Sequence, residues 1–198
     1  MEFYANGERN GRYLKKAVDF AFEAHKGQKR KDGTPYILHP LEVMTILGTM
    51  TGDYNTLASA VLHDTVEDTP VTAEEILSTF GERIAYLVAC ETEDKRQGID
   101  PRLTWKIRKE ESLEELKNCN DIEVKKLWVA DKVSNMRALA RAFAEEGNKV
   151  FERFNEKNPS EQKWYHASVL EYTKELSAFS AYKEYEALFG YIFSEKQK

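Results

Sequence analysis

A chain of 198 residues that is 41% hydrophobic and 32% charged can bury one sizeable core, and its composition indicates neither disorder nor a membrane protein. A formal net charge of -5 argues against broad electrostatic binding of nucleic acid or acidic lipid, and leaves open a local basic pocket for a small anion. The N-terminal MEFYANGERN lacks the basic-then-apolar pattern of a signal peptide, and no apolar run reaches the length of a spanning helix, so the expectation is a cytoplasmic protein.

Apolar positions recur at three and four residues almost throughout, without strand-like alternation, so the fold class reads as all-α. The first helix is expected over about Arg9 to Lys26, with Leu14, Val18, Ala21 and Phe22 on its inner stripe and Gly27 ending it. After the turn-rich loop GQKRKDGTPY, the run ILHPLEVMTIL opens a second helix, with Pro40 in its first turn and His39 at or beside the cap. A third helix is expected from about Tyr54 to Glu67, stopping before Pro70. Thr72 and Glu75 then form a capping-box pattern for a helix that Gly81 closes after Phe80. Asp100 and Pro101 read as cap and first position of the next helix, and a long helix follows over about Asp121 to Glu145. NEKNPS breaks the pattern before an aromatic helical segment in two pieces, about Glu161 to Ser194. Cys90 and Cys119, the two cysteines, have no CxxC spacing and read as free thiols. With no repeat or linker, residues 1–198 read as a single domain with about 161–198 as a C-terminal helical extension.

Within the third helix, AVLHDTVEDTP places His63, Asp64, Glu67 and Asp68 close together. On this helix Glu67 stacks near His63 and Asp68 near Asp64, each about 6 Å further along the axis. Acids gathered toward a helix C-terminus oppose the macrodipole, so a positive charge nearby is expected. The helix DIEVKKLWVADKVSNMRALA has a stripe through Val124, Leu127, Trp128, Asp131, Asn135 and Leu139, in which a carboxylate and an amide interrupt the packing face. Burying an unpaired carboxylate costs several kcal/mol, so Asp131 calls for a metal or, alternatively, a buried salt bridge to an arginine elsewhere in the chain. Adding His39 completes a mixed nitrogen and oxygen set suited to manganese, iron, magnesium or zinc, with His25 and His166 as competing histidines.

AHKGQKRKDGTPYILHP, LHDTVEDT and ADKVSNMRAL occur in the order and rough spacing of the HD-type hydrolase domain of RelA/SpoT homologues, and the chain resembles the small stand-alone alarmone hydrolases of that group, including the metazoan type. The resemblance covers about residues 10 to 180. It implies an all-helical HD-domain bundle with one Mn²⁺ site between helices, other divalent metals being an alternative. It also implies hydrolysis of the 3′-pyrophosphate of guanosine tetra- or pentaphosphate to GDP or GTP and pyrophosphate, in the stringent response. Carried over residue by residue, the metal ligands fall on His39, His63, Asp64 and Asp131, and the water-activating pair on Glu67 and Asp68. The nucleotide pocket falls on Arg30, Lys31 and Asn135.

A pyrophosphoryl group needs further cations, for which WKIRKEE offers Lys106, Arg108 and Lys109; the alternative is a solvated face with a Lys106 to Glu110 pair. Trp164 and Tyr165 could wall the ribose or simply be core. Ala138 and Asp32 depart from the long bifunctional members. They leave open a phosphohydrolase of another nucleotide, such as NADPH or a deoxynucleotide, and a binding module that senses a nucleotide without turnover is the other reading. The expected partner is a small guanosine nucleotide, not nucleic acid or membrane, and the aromatic tail could pack on the domain or join a second copy.

Overall fold

The computed structural model describes residues 2–194, with the side chains of 11–194. The chain divides into two compact units, Met1–Thr92 and Glu93–Lys198. Both are helical, and among the described residues the nearest approach to a sheet is an isolated bridge between Lys29 and Pro35.

The first unit contains α1 (Glu2–Ala24), α2 (Leu38–Leu47), α3 (Tyr54–Leu62), α4 (Thr65–Asp68), α5 (Ala73–Phe80) and α6 (Glu82–Ala89). Helix α3 packs against α1, α2 and α6. Its run Ala58, Ser59, Ala60, Val61, Leu62 is buried, and the small residues let neighbouring helices approach closely. Around it lie Ala17, Ala21, Ile76, Phe80, Ile84 and Val88, each fully buried aliphatic contributing roughly 1.5–3 kcal/mol. The inner stripe of α1 is centred on Leu14, Ala17, Val18 and Ala21, and Phe22 lies outside it, 54% exposed. Its direction is about 100° from that of Ala21, past the edge of the packing face.

Capping chemistry decides most boundaries in this unit. Asp53 accepts from Thr56 N and Thr72 from Glu75 N, which opens α3 and α5, and Gly81 adopts φ +85° between α5 and α6. Two expectations shift. Ile37 is the cap of α2, so His39 sits inside its first turn and not at the cap. The helix expected to run from Tyr54 to Glu67 breaks after Leu62 and resumes at Thr65. The physical reason is local: His63 Nδ1 and Thr65 Oγ1 bond the carbonyls of Ala60 and Leu62 at 2.8 and 2.6 Å, so side chains compete for groups near the helix end.

The second unit contains α7 (Pro101–Asn118), α8 (Ile122–Glu146), a 3-10 segment Gly147–Arg153, α9 (Pro159–Tyr172), a 3-10 turn Lys174–Leu176 and α10 (Ser180–Phe193). Asp100 caps α7 through Arg102 N with Pro101 at the first position, and Asp121 caps α8 through Glu123 N. Helix α8 packs on α10 and on the 3-10 segment, and α9 packs on α7 and α10. The aromatic tail turns inward within this unit: Tyr182 and Tyr185 are buried, Tyr182 donates to Leu170 O at 2.8 Å, and Phe193 packs on Phe151. No helix of the described residues is long and apolar enough to cross a membrane.

Candidate active site and metal ligands

In the first unit, the break between α3 and α4 puts His63 and Asp64 at a corner, and the first turn of α2 brings His39 to the same place. Asp64 Oδ2 lies 3.1 Å from His63 Nε2 and 3.5 Å from His39 Nε2, and the two rings are 5.2 Å apart. Both histidines are buried. The hydrogen bond from His63 Nδ1 to Ala60 O assigns its proton to Nδ1, which leaves the Nε2 lone pair facing a carboxylate oxygen. Two acceptors that close repel unless a cation or a proton lies between them. The donor set therefore fits a divalent ion: the His63 imidazole oriented from behind by Ala60 O, the Nε2 of His39, and a carboxylate facing both.

Helix α4 carries Glu67 and Asp68, both half-buried. The Asp68 amide bonds Asp64 O at 2.8 Å, so these two acids keep the one-turn relation expected. Between the two acids stands Tyr36, whose hydroxyl lies 2.7 Å from Asp64 Oδ2 and 2.8 Å from Asp68 Oδ2. Burial, Asp64 and Asp68 all push its ionisation far above the ordinary tyrosine range, so it stays a proton donor.

Tyr36 sits at the base of the loop after α1, where Tyr36 N bonds Gln28 O and Arg30 N bonds Thr34 O, with Gly33 at φ +86° at the tip. Arg30 is half-buried and Lys31 exposed on this loop. Desolvation, with the charge of Arg30, lowers the pKa of Lys31. Asp32 accepts from Thr34 N and Oγ1, which gives it a turn-forming role. His25, one of the competing histidines, is buried beside this loop: its Nδ1 meets Gln28 Oε1 at 2.7 Å and its ring stacks on Tyr36.

In the second unit, Asp131 is buried on α8, as its place in the stripe implies. Asn135 Nδ2 donates to its Oδ1 at 2.8 Å and Lys132 pairs with its Oδ2. The cation demanded by this carboxylate is thus supplied in part by its own neighbour, which lies over the Trp128 ring and was not among the sequence candidates. His166, the other competing histidine, is buried with Nδ1 against Tyr185 Oη at 2.7 Å. Burial, then Lys132 and Lys109, lowers its pKa to about 3, as befits a neutral core histidine.

The basic cluster of α7 does not form a solvated face. Arg108 and Lys109 converge on Glu93, at 2.7 and 2.5 Å, and Arg108 is itself buried. Lys106 pairs with Glu161 at 2.6 Å instead of Glu110, and stands 3.2 Å from the centre of the Trp164 ring. Tyr165 is buried, with Lys109 4.8 Å from its ring centre. Tyr36, Gln28, Lys132 and Glu93 are the residues that sequence reasoning missed. Their signals were weak because each acts through a partner distant in sequence or through an adjacent charge that reads as surface.

The fold is all-helical among the described residues, with a paired histidine and aspartate at a helix corner. The HD domain family model matches residues 17–159, and the chain belongs to that family. It is 38% identical over 133 residues to the bifunctional (p)ppGpp synthase/hydrolase SpoT of Escherichia coli K12, a match covering 64% of this chain and 18% of that protein. The chain thus spans less than a fifth of that relative. Among solved structures, lmo0812 from Listeria monocytogenes EGD-e is similar with a TM-score of 0.68 and 32% identity, covering 81% of this chain and 97% of that one. A metazoan ortholog of SpoT, described as hydrolyzing ppGpp and acting in starvation responses, gives a TM-score of 0.70 at 22% identity, covering 89% and 93%, and bears on the fold.

Proposed function

We propose that this protein is a Mn²⁺-dependent phosphohydrolase that removes the 3′-pyrophosphate of guanosine tetra- or pentaphosphate, giving GDP or GTP and pyrophosphate. The observation that carries the reading is the shared carboxylate of Asp64, 3.1 and 3.5 Å from the Nε2 atoms of His63 and His39, beside the acidic turn of α4. The substrate class is supported by the activities for which the similar SpoT proteins are named.

His39, His63, Asp64 and Asp131 are the proposed ligands; each of His39, His63 and Asp131 offers a buried donor atom. A bound divalent ion would supply the charge that polarises a phosphoryl oxygen and acidifies water. Glu67 and Asp68 orient the attacking water and take up its proton, Asp68 from a carboxylate fixed by Tyr36. Arg30 and Lys31 meet phosphate from the loop after α1. Lys106, Arg108 and Lys109 supply cationic charge from α7, Asn135 an amide, and Trp164 an aromatic face for base or ribose. The HD family match crosses the division between the two units, which supports one phosphohydrolase domain over 1–198 with about 161–198 as its helical extension. A small guanosine nucleotide in the cytoplasm is the proposed partner.

The test incubates metal-free protein with guanosine tetraphosphate, with and without Mn²⁺, Mg²⁺ or Zn²⁺, and resolves pyrophosphate from orthophosphate. Asp131→Ala is expected to lose the metal, whereas Glu67→Gln should bind it and lose rate by about 10²–10⁴-fold. Turnover without any metal sinks the proposal, and orthophosphate released from NADPH or a deoxynucleotide, with no pyrophosphate from guanosine tetraphosphate, replaces it by the other-nucleotide reading.

A further inference from the structure

The geometry points to Tyr36 as a positioning residue that locks the carboxylates of Asp64 and Asp68 to each other, with Gln28 and His25 as its backing. The inference rests on the reaction proposed above, and deepens it by assigning what holds the acidic turn in place.

Helix α4 spans only Thr65–Asp68, and a single helical turn has no stability of its own, because fixing the first turn costs more than its one hydrogen bond returns. Something outside α4 must therefore fix the direction of Asp68. Two groups from the loop after α1 do so. The Tyr36 hydroxyl reaches Oδ2 of both Asp64 and Asp68, at 2.7 and 2.8 Å, so one donor spans the proposed metal ligand and the proposed water-activating acid. Gln28 Nε2 donates to the Asp68 carbonyl at 2.7 Å, gripping the main chain of the same residue.

These two groups are themselves tied together. Because the Gln28 amide nitrogen donates to Asp68, its Oε1 is the acceptor, and the His25 Nδ1 at 2.7 Å must be the N–H donor. The His25 ring then stacks on Tyr36, with centroids 4.8 Å apart and planes 28° apart. Among the described residues His25 Nε2 has no hydrogen-bond partner, and the Gln28 bond and the Tyr36 stack hold the ring. The result is a closed brace, His25 to Gln28 to Asp68 to Tyr36 and back to His25, in which removal of the single hydroxyl takes the shared donor from both carboxylates while leaving the ring stack intact.

The division of labour is testable because Tyr36 touches both acids and Gln28 touches only Asp68. Tyr36→Phe keeps the stack; it is expected to melt within a few degrees of the parent, to lower kcat by about 10–100-fold with KM changed little, and to weaken Mn²⁺ binding about 10-fold. Gln28→Leu should lower kcat and leave Mn²⁺ affinity unchanged. Mn²⁺ affinity is read from the free-ion electron paramagnetic resonance signal and kcat and KM from pyrophosphate release, with circular dichroism on the same samples. Parent-like kcat and Mn²⁺ affinity in Tyr36→Phe overturns the inference, as does a loss that tracks the fraction of folded protein, or an equal weakening of Mn²⁺ by both variants. If the parent protein releases no pyrophosphate from guanosine tetraphosphate, the proposed reaction fails, and the Mn²⁺ titration of Tyr36→Phe still decides whether the hydroxyl holds Asp64.

Discussion

Replacing Glu93 by glutamine isolates one charge in the second unit. Glu93 meets Arg108 at 2.7 Å and Lys109 at 2.5 Å, and the three side chains are only 11%, 9% and 19% exposed. Burial by itself would raise the Glu93 carboxyl, but Lys109, with Lys132 and Arg108, outweighs it and holds the group below the usual carboxylate range. Lys109 shifts the opposite way: burial lowers it, while Tyr165 and Glu93 together raise it above the ordinary lysine range. Glu93→Gln keeps the shape and an acceptor oxygen and leaves two cations facing each other with their shared anion gone. Breaking a buried pair costs about 3–5 kcal/mol, and the retained acceptor puts the expected loss near the lower figure, on the order of a hundredfold in the unfolding equilibrium.

Because the folded pKa of Glu93 is depressed, its contribution is present above the unfolded value of about 4.3 and is lost as pH falls through the folded pKa. The difference between parent and Glu93→Gln should therefore be full at neutral pH and shrink steadily in acid. Denaturant unfolding followed by tryptophan fluorescence measures it, since Trp105, Trp128 and Trp164 all lie in Glu93–Lys198 with the three charged groups. A deficit under about 1 kcal/mol at neutral pH, or one that does not change with pH, would refute the reasoning that this is an electrostatic clamp.

Two further substitutions test the packing. Gly81→Ala places a side chain at φ +85°, ψ 171°, where nothing among the described residues crowds the added carbon, so its cost is backbone strain alone, about 1–3 kcal/mol by thermal melting. Leu127→Ala removes a side chain with 0% exposure on α8 and should cost about 3–4 kcal/mol by denaturant unfolding; a loss below 1 kcal/mol would mean that α8 is not packed as described.

How far the site could be read from sequence depended on the range of each interaction. The caps of α5 and α7 were legible because Thr72 and Asp100 act on amides two or three residues away. The burial of Asp131 was legible because helical periodicity alone places it on the packing face. The corner at His63 and Asp64 was not, since periodicity continues smoothly through it while the hydrogen bonds of His63 and Thr65 to the end of α3 do not. Tyr36 was invisible for another reason: its partners lie 28 and 32 residues away, and the loop that brings it to them reads only as a turn.

What the sequence by itself determined was the all-helical class and most helix ends, because these follow from local periodicity and capping, and side-chain chemistry added only candidates for a metal and a proton. What only the tertiary structure decided was how those groups face one another. It broke the third helix and seated His39 beside Asp64. It set one tyrosine hydroxyl between two carboxylates and gathered Arg108 and Lys109 onto Glu93. Each of these depends on directions and distances between segments remote in sequence, which no local pattern encodes.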